Sequence, residues 1–142
     1  MLMSSLSMNQ DIKFVNKEWG FEKWIVNTEL YCGKLLYFVK DKACSYHYHK
    51  LKTETFYLHS GSIKLLYGIT DDFAKAKVTY LYPGDKFEVP TGLRHQMIAL
   101  EDSELFEFST QHFDEKYQFY TESDMYWCDH NFMTVQEYVN LP

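Results

Sequence analysis

The sequence predicts a single all-β domain, a β-sandwich or β-barrel, and three observations support this. Short runs of mixed apolar and polar residues are separated by turn signals such as Ser60-Gly61 and Pro83-Gly84-Asp85. Aromatic residues make up 18% of the chain, with 12 Tyr, 11 Phe and 3 Trp, and aromatic side chains pack well on pleated sheets. The length of 142 residues fits one domain.

Nine segments have the pattern of strands: residues 21–26, 34–39, 44–49, 54–58, 63–67, 78–82, 86–89, 95–100 and 104–108. Residues 71–75 are a polar connection. Only the C-terminus indicates a helix, where Thr134 and Glu137 form a capping-box pattern and the helix ends before Pro142. We expect a flexible N-terminal tail over residues 1–10 and one domain over residues 11–142.

Charge and cysteine content exclude several classes of protein. The chain has 14 basic and 20 acidic residues, and the basic ones form no cluster of the kind that binds nucleic acid. Its three cysteines are an odd number without a close pair, which argues against disulfide frameworks and suits a reducing cytoplasm. We find neither a signal peptide nor a membrane-spanning run. These features predict a cytoplasmic protein that binds a small molecule.

The segment His47-Tyr48-His49 forms the first half of a candidate metal site. In a strand, residues two apart point to the same face, so the two imidazoles face one space. Residues 50–53 then provide a turn to Glu54, which opens the next strand and brings a carboxylate beside the two histidines.

His95 is expected to complete the site from much farther along the chain. It follows a bend that contains Pro90 and Gly92. Three imidazoles and one carboxylate predict one divalent transition metal, whether zinc, manganese, iron or nickel. Such a set leaves coordination positions open, as catalytic sites do.

These residues resemble the two motifs of the cupin superfamily. Eight motif positions agree in identity and spacing: His47, His49, Glu54, Gly61, Gly84, Pro90, Gly92 and His95. Two positions depart from the motifs, because Asp41 stands where the first usually has Gly and Ala99 where the second usually has Asn. The resemblance implies a cupin jelly-roll β-barrel.

A finer resemblance is to sugar-isomerase cupins, namely type II mannose-6-phosphate isomerases and lyxose isomerases. The segments that carry it are residues 18–22, 31–36 and 107–110, together with His47-x-His49-x-x-Lys52-x-Glu54. This resemblance implies an aldose–ketose isomerase, with Lys52 at the position of the lyxose isomerase lysine.

Three further residues are candidates for catalytic roles, each with an ordinary alternative. Lys52 either faces the metal cavity or lies in an exposed turn. Arg94 either binds a phosphate or carboxylate of the substrate or lies on the surface. Glu107 is a buried candidate base if its strand face points inward. Cys44 is expected to be a buried thiol on the face opposite His47, and His112 to be structural or exposed.

The function that these observations favour is a metal-dependent isomerase acting on a sugar or sugar phosphate. A metal-dependent dioxygenase-type cupin and a non-catalytic sugar-binding cupin are the alternatives. The aromatic content further predicts a homodimer, with the strands around Phe14 and Phe21 as its contact surface.

Overall fold

The computed structural model describes residues 12–113 and 124–128, and nearly all of their regular structure is β. We number the eleven strands in chain order: β1 Lys13–Lys17, β2 Gly20–Asn27, β3 Cys32–Phe38, β4 His47–His49, β5 Glu54–Ser60, β6 Ile63–Gly68, β7 Lys77–Leu81, β8 Lys86–Val89, β9 Arg94–Ala99, β10 Ser103–Ser109 and β11 Met125–Trp127. A single 3-10 turn, Phe73–Lys75, lies between β6 and β7.

The strands form two antiparallel sheets. One has six strands in the order β1-β2-β3-β10-β5-β8, and the other has five in the order β11-β4-β9-β6-β7. The chain crosses repeatedly from one sheet to the other between β3 and β10, which is the double-sheet arrangement of a jelly roll. Among the described residues no strand pairs with both sheets, so the predicted barrel takes the form of two packed sheets.

The space between the sheets is apolar at one end and polar at the other. Phe38, Leu58 and Leu105 are fully buried at the apolar end, where the two sheets share one hydrophobic core. Strand alternation places inward side chains two residues apart, so Glu54 and Glu107 project into the same interior from β5 and β10. The polar end of the interior is therefore the place to look for a site.

The central strands of the five-stranded sheet are buried on both faces. In β9 five consecutive residues are buried, from His95 to Ala99. Behind the sheet lies a second apolar cluster, which contains Tyr46, Phe73 and Ile98. The 71–75 connection was expected to be polar, but its 3-10 turn begins with Phe73, whose ring is buried in this cluster.

The predicted all-β class is confirmed, and the predicted strands mostly agree with those observed. The segment 44–49 is an exception, because only His47–His49 is a strand. Just before this segment, Ala43 makes an isolated bridge to Ile98. Strand β11 was not predicted, and β1 was expected only as the strand around Phe14, without bounds. The tail over residues 1–10 and the helix at Thr134 lie outside the described residues. No helix in the described part of the chain has the length and apolar character needed to cross a membrane.

Candidate metal centre

The short strand β4 presents two imidazoles to the interior, as its sequence predicts. His47 and His49 are buried while Tyr48 turns to the other face, and the two imidazole centroids are 5.0 Å apart. The Nδ1 atom of His47 lies 2.8 Å from the carbonyl oxygen of Ser45. A carbonyl only accepts, so Nδ1 carries the proton and the Nε2 lone pair is free to bind a metal.

His95 joins the pair through the turn that precedes it. Gly92 adopts a φ of 83°, a conformation that favours glycine, and its N–H donates to the carbonyl of His49 at 2.7 Å. This bond ties the start of β9 to the end of β4, where His47 and His95 are also in register. The His95 Nδ1 donates to the carbonyl of Leu93 at 3.0 Å, so its Nε2 is also a free acceptor.

The three histidines and Glu54 form one cluster of acceptor atoms. One ring nitrogen from each of His47, His49 and His95 lies within 4.8 Å of the other two. The Glu54 Oε2 is 3.1 Å from His95 Nε2 and 3.4 Å from His49 Nε2. Both Glu54 Oε2 and His95 Nε2 are buried, and neither has a hydrogen-bond partner within the described residues. A metal ion or an added proton would satisfy both, and the donor set fits a divalent transition metal.

Lys52 lies inside the cavity and not in an exposed turn. Its Nζ is 3.1 Å from Glu54 Oε1, 3.1 Å from Glu107 Oε2 and 2.8 Å from His112 Nδ1. An ammonium has three N–H donors, so all of them are used. Burial acts to lower the pKa of Lys52, but Glu107 and Glu54 outweigh it and raise the pKa. The Lys52 side chain is therefore a charged ammonium.

The pKa of Glu54 shifts in the opposite direction. Burial alone would raise it, but the nearby Lys52 ammonium outweighs burial and holds the pKa of Glu54 well below its usual range. Glu54 is therefore an anion that faces two imidazoles on one side and an ammonium on the other. A carboxylate in this state can bind a metal without first losing a proton.

Glu107 faces inward. The sequence predicted it as a candidate base on this condition. It is 4% exposed, and its Oε2 accepts hydrogen bonds from Lys52 and, at 2.9 Å, from the Ser109 hydroxyl. Its carboxylate thus lies in the same cavity as the histidine cluster, joined to Glu54 through the shared ammonium.

His112 also belongs to the cavity, contrary to the expectation that it is structural or exposed. Asn27 fixes its backbone, because the Asn27 side chain accepts from the His112 N–H at 2.9 Å and donates to its carbonyl at 2.8 Å. Its ring packs edge-on against Trp24. Burial, reinforced by Lys52, lowers the pKa of His112, so the ring is neutral and accepts at Nδ1. Its Nε2 therefore carries a proton.

A second ion pair closes the cavity wall opposite the histidines. Lys34 is 1% exposed and its Nζ lies 3.3 Å from Glu22, which also accepts from the Trp24 indole at 2.7 Å. Burial would raise the pKa of Glu22, but Lys34 and other cations lower it. The cavity measures about 70 Å³, which is room for about two water molecules.

Asp124 supports the site from behind, although no feature of the sequence pointed to it. Its carboxylate accepts from three successive backbone N–H groups, those of residues 50, 51 and 52, at 2.9, 2.7 and 2.8 Å. Its Oδ2 is also 3.8 Å from His49 Nδ1. Asp124 thus holds the turn between the histidine strand and Glu54.

Arg94 follows its surface alternative, whereas Cys44 lies on a different face from the one expected. The Arg94 guanidinium leaves the cavity, donates to Asp71 at 2.8 Å and stacks 3.7 Å from the Tyr48 ring. Cys44 was expected on the face opposite His47, but it lines the same cavity, since residues 44–46 are not a regular strand. Burial raises the pKa of its thiol to about 12.

Of the two site residues that the sequence analysis missed, His112 and Asp124, only His112 had a usable sequence signal. His112 follows β10 in a polar run that begins at Ser109, at the end of the strand that carries Glu107, and this position was a usable signal. Asp124 lies 72 to 74 residues from the N–H groups that it binds, and nothing local marks it.

The motif departure at position 41 has a structural explanation. Asp41 has a φ of 67°, the left-handed region where Gly is usual, and Asp tolerates that region better than most residues. Asp41 therefore holds a backbone conformation that is also open to glycine.

The fold is shared with solved structures of known proteins, although no protein-family model and no curated protein sequence matches this chain. An RmlC-like cupin from Shewanella frigidimarina superposes with a TM-score of 0.63 at 14% identity, over 78% of this chain and 94% of that one. The chain has the cupin fold. Two larger proteins contain a similar domain.

The first of these is the capsular polysaccharide assembling protein CapF from Staphylococcus aureus, with a TM-score of 0.68 at 16% identity over 82% of this chain. The second is a variant of Bacillus subtilis oxalate decarboxylase, with a TM-score of 0.66 at 20% identity over 93% of this chain. This chain spans 34% of the length of CapF and 38% of that of oxalate decarboxylase. The similarity therefore shows the domain fold alone.

Proposed function

We propose that this cupin is a metal-dependent aldose–ketose isomerase that acts on a sugar or sugar phosphate. The observation that carries the proposal is the contact of Lys52 with both Glu54 and Glu107, which places a buried carboxylate beside the histidine cluster. His47, His49, His95 and Glu54 would hold the metal, which when bound supplies a Lewis acid that polarises the substrate carbonyl.

Glu107 is the proposed base. Aldose–ketose isomerisation moves a proton between the adjacent carbons C2 and C1 of the sugar through an enediol. Glu107 would remove the proton from C2 and return it to C1 while the hydroxyl proton moves between the two oxygens, so atoms and electrons balance without an oxidant. Its Oε2 is fixed by Lys52 and Ser109, which orients the carboxylate for this transfer.

The proposed role of Lys52 is to position other residues and not to contact the substrate. Its three N–H donors already bind Glu54, Glu107 and His112, so none remains for a sugar hydroxyl. We assign to it the positioning of both carboxylates. His112 keeps its Nε2 proton and is the better donor to a substrate oxygen. Arg94 binds Asp71 outside the cavity and has no part in this proposal.

The cavity volume favours a second candidate, an oxidative cupin. A space of about 70 Å³ takes only one end of a sugar but would hold a whole small carboxylate or dioxygen. A protein that only binds a sugar is the third possibility, and it predicts ligand stabilisation without turnover.

A paired assay distinguishes these functions. Sugars and sugar phosphates would be incubated in heavy water with manganese, zinc or iron, and both proton exchange at C2 and oxygen uptake measured. The isomerase predicts exchange without oxygen uptake, and uptake without exchange would contradict it. Glu107→Gln should abolish exchange, whereas Glu104→Gln on the same strand is the matched control, because Glu104 lies on the opposite face of β10.

A further inference from the structure

The strand that supplies two of the three histidines has little pairing with its inner neighbour in the sheet, β9. β4 has three residues and is in register with β9 at a single position, His47 with His95. By contrast, β11 pairs with β4 along its full length, in three positions: Met125 with His49, Tyr126 with Tyr48 and Trp127 with His47. The position of β4 therefore depends on residues 124–128, which we call the clasp segment.

Asp124 extends this hold from the strand to the turn that follows it. The side chain is buried, and its two oxygens take the N–H groups of Lys50, Leu51 and Lys52. Hydrogen bonds to an ionised acceptor are stronger than those between neutral groups. The same turn leads to Glu54, so Asp124 fixes the spacing between the histidine pair and the carboxylate.

Asp124 also lies beside the ring of His49. Its Oδ2 is 3.8 Å from His49 Nδ1, which is too far for a hydrogen bond. Its hold on the site therefore comes from the three backbone hydrogen bonds to the turn.

Contacts on the outer side of β4 complete the attachment. The Tyr48 and Tyr126 rings are stacked with centroids 5.3 Å apart, and the Lys50 ammonium lies 4.3 Å from the Tyr126 ring centre. At the end of the segment, the Cys128 N–H donates to the Tyr46 carbonyl at 3.1 Å.

We propose that the clasp segment positions the metal-binding strand, so that docking of residues 124–128 and metal binding at the histidine cluster strengthen each other. The inference rests on the proposed metal site. Such coupling is reciprocal: if the docked segment raises the affinity for metal, bound metal stabilises the docked segment by the same factor. Asp124 is a positioning residue in this scheme, since it acts through the turn between β4 and Glu54.

The first test measures zinc affinity of the full chain by competition with a chromogenic chelator. Asp124→Asn keeps the size of the side chain but loses its charge and one acceptor. We expect its zinc dissociation constant to rise about 10- to 100-fold, as for other residues that orient metal ligands. Asp102→Asn is the matched control, because Asp102 also accepts from a backbone N–H, that of Lys40 at 2.8 Å, outside the site. An unchanged constant for Asp124→Asn would overturn the proposal.

The second test uses amide hydrogen exchange and separates the clasp from the metal site. In metal-free protein, Asp124→Asn should accelerate exchange at residues 50–52, and unchanged exchange would contradict the clasp. Zinc should slow exchange at Tyr126 in the parent. If the parent binds no metal, the proposed function fails, while exchange at residues 50–52 still decides the clasp. Should Asp124→Asn not fold, Tyr126→Ala, which removes only the ring contacts, should weaken zinc binding in the same direction.

Discussion

Replacing Lys52 with methionine tests the buried charge network directly. The substitution keeps a chain of similar length and removes only the ammonium. It leaves Glu54 Oε1 and Glu107 Oε2, each 3.1 Å from Nζ, as buried acceptors without their cation. Lys52 and both carboxylates are at most 4% exposed, so bulk solvent compensates poorly for the lost partner.

The expected cost is large because both partners remain buried. Breaking one buried ion pair by removing a partner costs about 3–5 kcal/mol, and here one ammonium serves two carboxylates. Lys86→Met is the matched control, since Lys86 lies 2.9 Å from Glu88 with 65% and 70% of the side chains exposed. Removing that exposed pair should cost about 0.2–1 kcal/mol. The two lysines therefore predict different losses at nearly equal ion-pair distance.

Urea unfolding of the metal-free protein, followed by tryptophan fluorescence, measures both free energies of unfolding. Adding Glu107→Gln to Lys52→Met removes one of the stranded charges and should recover about 0.5–3 kcal/mol. This double variant also keeps the test valid if the single one is unfolded. If Lys52→Met unfolds with the same free energy as Lys86→Met, and Glu107→Gln recovers nothing, the network does not exist as described.

Three further predictions concern the metal, the thiols and self-association. Elemental analysis should find one metal per chain in the parent and a loss in His47→Ala and His95→Ala, and full occupancy in both variants would exclude this site. Burial raises the pKa of Cys44 to about 12 although the residue is partly exposed, so at pH 8 iodoacetamide should alkylate Cys44 far more slowly in native than in unfolded protein, and equal rates by mass spectrometry would contradict a protonated thiol. Phe14 is 55% exposed and stacks on Phe21 at 4.6 Å, so sedimentation should give twice the 17.0 kDa monomer mass for the parent and the monomer for Phe14→Lys; a monomeric parent would refute the homodimer.

The metal cluster could be predicted because its geometry is mostly local. His47 and His49 share a face in any strand, and a short turn necessarily brings Glu54 close to them. His95 required the additional information in the Pro90 and Gly92 positions, which define where its strand begins. In agreement with that reasoning, one ring nitrogen of each of the three histidines lies within 4.8 Å of the other two in the structure.

The alternatives for Lys52, Arg94 and Glu107 could not be decided from the same local rules. Alternation says that Glu107 and Leu105 share a face, but not whether that face is inside. The packing of β10 against the core decides it, because Leu105 and Glu107 are buried while Phe108 on the other face is 57% exposed. Arg94 begins β9 on the face opposite His95, where Asp71 and Tyr48 receive it.

By itself the sequence determined the β class, the order of most strands and the residues of the histidine cluster, since strand alternation and turn geometry act over a few residues. Only the tertiary structure decided that Lys52 meets Glu107 and His112, 55 and 60 residues away. The same holds for Asp124, which reaches back to the turn before Glu54. These contacts depend on which strands are neighbours in a sheet, and that is determined by burial of the whole apolar core rather than by any local pattern.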